Sequence, residues 1–233
     1  MREAVTRVPV IRVGSDGSEV RFDDEVTVEG SYLLVVNGNP LEKVVVSPFA
    51  LREWAVGHLF CAGSISGARE IRSFDERDGR IEVQAAPSPG TEVEPPSAAW
   101  TVTPEMIHGG ARWIAEAPRY NRTGGFHAAA LLSVTGERLA LFEDISRHNA
   151  LDKAIGWGLI SEMDLGRTMA IQSGRLPRDM VAKAAAAGIP LLGSVSAPTD
   201  AGIALAKEAG ITLVGFIREK RMNIYSFPER IKG

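Results

Sequence analysis

The sequence predicts an α/β protein with a mostly parallel sheet, preceded by a smaller strand-rich part. Two patterns carry this prediction. From about residue 124 onward, short apolar runs alternate with helix-patterned stretches, which marks right-handed βαβ units and a parallel sheet between helices. Up to about residue 46, β-branched runs broken by turn residues mark strands instead. A chain of 233 residues and 25.0 kDa can bury a core as one large domain or two small ones. The division expected is 1–100 and 101–233.

Taken in order, "VPVIRV", "EVTVEG" and "YLLVVNGNPLEKVVV" are the N-terminal strands. Ser47-Pro48 looks like a helix start, the hydroxyl as N-cap and the proline at the first helical position. Leu51, Trp54, Ala55 and Leu59 follow at helical spacing, so "FALREWAVGHLFCAG" is an amphipathic helix ending at Gly63. "REIRSFD" and "RIEVQAA" meet at Asp78-Gly79, a hairpin signal. Pro87 to Trp100, with four prolines, one glycine and no apolar period, is a loop or linker. Thr103-Pro104 opens a helix with Ile107, Gly110, Ile114 and Ala117 on one face. "HAAALLSV" and "RLALFEDI" then form a hairpin around "TGE". Beyond it come the helix "HNALDKAIGWGLI", the strand "TMAIQ", the helix "PRDMVAKAAAAG", the strand "IPLLGSVS", the helix "TDAGIALAKEAG", and the strands "ITLVGFI" and "MNIYSF".

Composition excludes several classes. Hydrophobic content of 45% and charged content of 24% are ordinary for a globular protein. A net charge of −3 carries no signature for nucleic acid or an anionic membrane. The N-terminus lacks the apolar run of a signal peptide, and no segment is long and apolar enough to span a bilayer, so the expected location is cytoplasmic. Cys61 is the single cysteine, which excludes an internal disulfide and a multi-cysteine metal site.

Function is expected where the strands of the parallel sheet hand over to helices, since ligands of such sheets bind outside the strands' carboxyl ends. Polar clusters recur at those positions: Glu143, Asp144, Ser146, Arg147, His148 and Asn149; then Gln172 to Arg175; then Ser196 to Thr199; then Arg218 to Arg221. "RTGGFH", Arg122 to His127, precedes the hairpin. Backbone N–H groups, a helix dipole and guanidinium groups together make an anion site, typically for phosphate. Gly124, Gly125 and Gly174 allow close backbone approach. Each cluster also has a plain structural role: Asp144 or Ser146 as N-cap, His148 as an interfacial histidine, "SGR" and "REKR" as turns. No G-x-S-x-G elbow supports a hydrolase. The layout resembles that of the zinc nucleoside deaminases, which need H-x-E and P-C-x-x-C. Here "HNA" and "SGRLP" stand at those places, so zinc deamination is excluded and no metal site is expected.

"TGGFHAAAL", "EDISRHNALDKAIG", "SGR", "SAPT", "AGITLVGFIR" and "RMNIYSFPERI" resemble the FdhD/NarQ family of formate dehydrogenase accessory proteins. "LLVVNG" and "SPFALREWAVGHLFCAGSI" extend the resemblance to about residues 30–231. It implies a cytidine-deaminase-like three-layer sandwich with a smaller N-terminal α+β subdomain, in a cytoplasmic homodimer. It also implies a sulfurtransferase that accepts sulfur from a cysteine desulfurase. The sulfur passes to the bis-molybdopterin guanine dinucleotide cofactor of formate dehydrogenase or a related molybdenum or tungsten enzyme, with GDP bound as a fragment of that cofactor. The implied cofactor stretch is Phe216, Ile217, Arg218, Glu219, Lys220 and Arg221. The pocket would be completed by Thr123, Gly124, Gly125, His127, Asp144, Arg147, His148, Asn149, Lys153, Ser173, Gly174, Arg175, Ser196 and Thr199. One departure is chemical. The family's C-x-x-C has its counterpart in "AAPSPGTEVEPPSAAW", which has no cysteine, and a serine hydroxyl forms no persulfide. Cys61 is the one remaining thiol, near the negative end of its helix dipole. The alternative is a cofactor-binding chaperone that has lost sulfur transfer.

Overall fold

A computed structural model describes residues 3–86 and 100–233, so most of the proline-rich linker lies outside the described residues. β1 (Val5–Val13) and β2 (Glu19–Thr27) form a two-stranded antiparallel ribbon. β3 (Gly30–Val36) and β4 (Asn39–Val46) follow, joined at Asn37-Gly38, where both residues have positive φ. Such a turn matches the strands' right-handed twist and needs residues that accept the left-handed region. β5 (Ile71–Arg77) and β6 (Arg80–Ala85) turn at Asp78-Gly79 in the same way, as expected. These strands make a four-stranded sheet in the order β4-β3-β6-β5.

α1 (Leu51–Cys61) lies across this sheet, with Trp54, Ala55 and Leu59 packed on Leu34, Ile81 and Val83. Its start differs from expectation. Ser47 does not cap it; the N-cap is Ala50, in a left-handed conformation. Ser47 is buried instead and its hydroxyl accepts a hydrogen bond from Ile145 N at 3.1 Å. A local capping signal has been overridden by a contact 98 residues away.

α2 (Pro104–Ala115) begins as expected, Thr103 accepting from Met106 N and Pro104 in the first turn. α3 (Pro118–Thr123) was not anticipated: it is one short turn with no apolar period to betray it. β7 (His127–Ser133), β8 (Arg138–Asp144), α4 (Arg147–Ile160), β9 (Thr168–Gln172), α5 (Arg178–Ala186), β10 (Leu191–Ser194), α6 (Asp200–Glu208), β11 (Thr212–Arg218) and β12 (Arg221–Ile224) complete the chain. The second sheet has six strands in the order β12-β11-β10-β9-β7-β8. β8, β9, β10 and β11 run one way, but β7 lies between β8 and β9 and opposes both. The sheet, expected to be mostly parallel, is mixed, with parallel neighbours only at β9–β10 and β10–β11.

Helices cover both faces of this sheet. Leu151 and Ile155 of α4, Met180 and Val181 of α5 and Ala206 of α6 pack on Leu131, Ala170, Leu192 and Leu213. On the opposite face, Ile107 and Ile114 of α2 pack on Leu132, Met169, Ile171 and Val214. The two sheets are joined where α1 crosses α4. A Cβ on Gly57 would lie 1.9 Å from Asp152 O, and one on Gly156 would lie 1.8 Å from Glu53 O, so the backbones touch. No described helix is long and apolar enough to cross a membrane.

Candidate functional site

The carboxyl ends of β8, β9 and β10 form a crest beneath the N-terminus of α4. Strand pairing sets its polar row. Asp144 on β8 pairs with His127 on β7, while Gln172 on β9 pairs with Ala129 on β7 and Ser194 on β10. Alternation along the strands puts Asp144, His127, Gln172 and Ser194 on the face that carries Ala129, Ala170 and Leu192, toward α4 and α5. Ser146 caps α4 by accepting from His148 N at 3.3 Å, and Thr199 caps α6 by accepting from Gly202 N at 3.1 Å. The "SGR" and "SAPT" loops are zipped together: Leu176 N donates to Ala197 O, and Thr199 N to Leu176 O. Ser194 Oγ reaches from below to Gly174 O and accepts from Ser196 N.

Several predicted site residues converge there. His127 Nδ1 lies 2.9 Å from Ser173 Oγ, which also accepts from Ala128 N. The Arg147 stem lies on Gly174, where an added Cβ would come within 2.7 Å of it, so glycine is required for close packing. His148 Nε2 contacts Asp179 Oδ2 at 2.7 Å. Burial lowers the pKa of His127, and the nearby Arg147 and His148 lower it further, which favours a neutral imidazole. Burial pulls the Asp179 carboxyl upward, yet His148 holds it below its usual range. The crest thus pairs a neutral imidazole with a guanidinium at a helix N-terminus, a setting suited to an anionic, hydrogen-bonding ligand.

Polar satisfaction singles out the same place. Among the described residues, the buried side-chain atoms without a partner are Arg147 Nε, Gln172 Nε2 and Gln172 Oε1. Buried polar groups are nearly always paired, so orphans gathered at one crest call for an explanation. Gln172 heads the expected polar cluster Gln172 to Arg175, but it was not assigned to the pocket with Ser173, Gly174 and Arg175, because the family resemblance at this point rests on "SGR" alone.

"FIREKR" occupies a neighbouring ledge. Phe216 stands at a bulge in β11, 37% exposed, with φ at 52°, and its N–H donates to Ser196 O at 2.9 Å. A left-handed aromatic residue in a strand is strained, and such strain concentrates at functional sites. Ile217 is buried in the core. Glu219 and Lys220 form the turn of the β11–β12 hairpin. Arg218, Glu219, Lys220, Arg221 and Arg175 are exposed, and Arg218 donates to the carbonyls of Val195 and Ile217.

Other predicted site residues are absorbed by the scaffold. Lys153 and Asp144 are both fully buried and form an ion pair at 2.6 Å. Asp144 also accepts from Ser47 N, Ser146 N and Asn149 Nδ2, each at 3.0 Å. Asn149 bridges onward to Val45 O and to Trp54 Nε1. Lys153 Nζ sits 3.9 Å from the centre of the Phe49 ring, whose other neighbours include the Arg119 guanidinium. This network fastens the segment after β4 to the second sheet. Thr123 Oγ1 donates to Arg119 O and accepts from Gly125 N. Gly124, with φ at 65°, ends α3, and Gly125 lies against Thr27 of the ribbon.

Cys61 is far from thiolate character. Burial, and then the negative charge of Asp152, push its thiol pKa well above the usual cysteine value. It belongs to a second polar group in which Asp152 pairs with Lys183 at 2.6 Å, and His58 stands between Asp152 at 3.5 Å and Glu42 at 2.7 Å.

Comparison with known proteins places these features in context. The model of the FdhD/NarQ family matches residues 90–232, a span that holds the whole crest. "Sulfur carrier protein FdhD" of Methanothermobacter thermautotrophicus is 33% identical, over 93% of this chain and 95% of that protein. The protein of the same name from Nocardia farcinica is 50% identical over a shorter stretch, 49% of this chain and 41% of its own. The crystal structure of a candidate formate dehydrogenase accessory protein from Desulfotalea psychrophila superposes with a TM-score of 0.88 at 32% identity. It covers 99% of this chain and 100% of that one.

Proposed function

Because the chain belongs to the FdhD/NarQ family, we propose that it serves the maturation of formate dehydrogenase by binding a molybdopterin guanine dinucleotide cofactor at the crest. The observation that carries the cofactor part of this reading is Arg147. Its Nε is buried without a partner among the described residues, at a capped helix N-terminus, beside His127 and His148. A diphosphate would complete that donor set with charge-assisted hydrogen bonds. The exposed Arg175, Arg218 and Arg221 would enlarge the same positive rim, and the exposed Phe216 ring offers a stacking surface. GDP is the accessible probe. Calorimetric titration is expected to show binding, with Arg147→Ala weakening it about tenfold or more and Arg221→Ala less. Absence of heat with the intact protein would overturn the reading.

Sulfur transfer has to be placed separately. The relatives' name makes them sulfur carriers, and a persulfide starts from a thiolate. The only cysteine here is Cys61, whose thiol is held protonated by burial and by Asp152. That observation favours a second reading, in which this chain holds the cofactor for its client enzyme without itself carrying sulfur. Incubation with a cysteine desulfurase and cysteine, followed by intact-mass measurement, is expected to leave the protein unmodified. A gain of about 32 Da on Cys61, one sulfur atom on the thiol, would restore sulfur carriage to this chain.

A further inference from the structure

Resting on the reading of the crest as a cofactor pocket, we infer that Gln172 reads the edge of the cofactor's bicyclic ring, pairing with a carbonyl and an adjacent ring N–H. Gln172 is fully buried, and both its amide oxygen and its amide nitrogen lack partners among the described residues. Because both atoms are orphaned, the point does not depend on which way round the amide is placed. A phosphate offers only acceptors, so it would satisfy the amide nitrogen and leave the oxygen stranded. Satisfying both takes a group that donates and accepts side by side, as the lactam edges of guanine and pterin do.

The two neighbouring hydroxyls are already engaged. Ser194, across β10, is engaged by Gly174 O and Ser196 N. Ser173, just past the end of β9, is engaged by His127 and Ala128 N. Below lies the apolar cluster of Ala129, Leu131, Ala150 and Leu151. An apolar side chain of similar size would suit this site better in the free protein, so the amide is retained at a cost in stability. Since Gln172 is closed to solvent, the ring edge reaches it only as crest side chains move aside. Association is therefore slower than a rigid open pocket would allow.

The division of labour is then testable with two probes. Arg147 meets phosphate and Gln172 meets the ring, so Arg147→Ala weakens both GDP and inorganic pyrophosphate. Gln172→Met is expected to weaken GDP about tenfold or more and to leave pyrophosphate within about twofold, while raising the melting temperature of the free protein. Should Gln172→Met fail to fold, Gln172→Asn stays uncharged, draws the amide back by one methylene and carries the same expectation for the two ligands. Unchanged GDP affinity in a folded variant would overturn the assignment. So would equal weakening of GDP and pyrophosphate, which would make Gln172 a general support of the crest. If the unaltered protein binds neither probe, the pocket reading fails, and this assignment with it.

Discussion

Lys153 is the residue where a binding role and a structural one are most sharply separated. A lysine after "HNALD" invites assignment to an anion pocket, yet its ammonium is fully buried against Asp144 and above the Phe49 ring. Burial pulls its pKa down and the Asp144 carboxylate opposes this, so the pair stays together only because each partner is present. Lys153→Met is expected to destabilise the protein by about 3–5 kcal/mol, since it strands a buried carboxylate. Adding Asp144→Asn should recover part of that loss. Chemical denaturation of the single and double variants checks this, and strictly additive losses would show that the pair is uncoupled.

His58 supplies a pH dependence at the same scale. Burial alone would lower its pKa, but Asp152 first, and Glu42 with it, raise it above the ordinary 6.5. A group whose folded pKa is raised stabilises the fold fully below its unfolded value, and the contribution fades as pH rises through the folded value. The melting temperature of the intact protein relative to His58→Gln should therefore fall as pH climbs from about 6 to about 9. A difference that stays constant across that range would remove the imidazolium from the account.

Among the elements, the α1–α4 crossing is the most demanding. Gly57 and Gly156 face backbone rather than side chains, and backbone cannot swing aside. Either glycine changed to alanine forces the helices apart and is expected to cost at least about 1–3 kcal/mol, which thermal melting would register. Little or no loss would mean that the crossing relaxes easily. Helices and hairpins were largely legible from sequence because their signals are local. Thr103-Pro104, Asp78-Gly79 and the cap Ser146 each act within a few residues. Ser47-Pro48 carried an equally good local signal and still misled, because Asp144 and Ile145 recruit Ser47 from across the chain. The α3 turn, six residues long, is too short to show a period at all.

Across the whole molecule, the two sheets are coupled by that crossing and by the buried network from Ser47 and Val45 through Asp144, Asn149 and Lys153. Sequence boundaries near residue 100 suggest two units, but contacts this intimate make separate melting unfavourable. Scanning calorimetry is expected to show a single transition with calorimetric and van't Hoff enthalpies in agreement. Two resolved transitions would show that the units unfold independently. The crest would then keep its own stability apart from the N-terminal sheet.

The order of residues along the chain was sufficient for the α/β class, the family, and the location of polar clusters at strand ends, because each depends on local periodicity or on short motifs. It could not separate the residues that complete a scaffold network from those left with unpaired atoms. Asp144, Asn149 and Lys153 share a motif with Arg147 and His148, yet tertiary packing buries the first three in a completed network and leaves Arg147 with an unpaired nitrogen. Sequence placed Gln172 in a polar cluster at a strand end, but for the same reason it could not show that the amide lacks a partner. Burial without a partner is a property of the space around an amide, and that space is enclosed by β7, β9 and β10 with α4, strands and helix brought together only by folding.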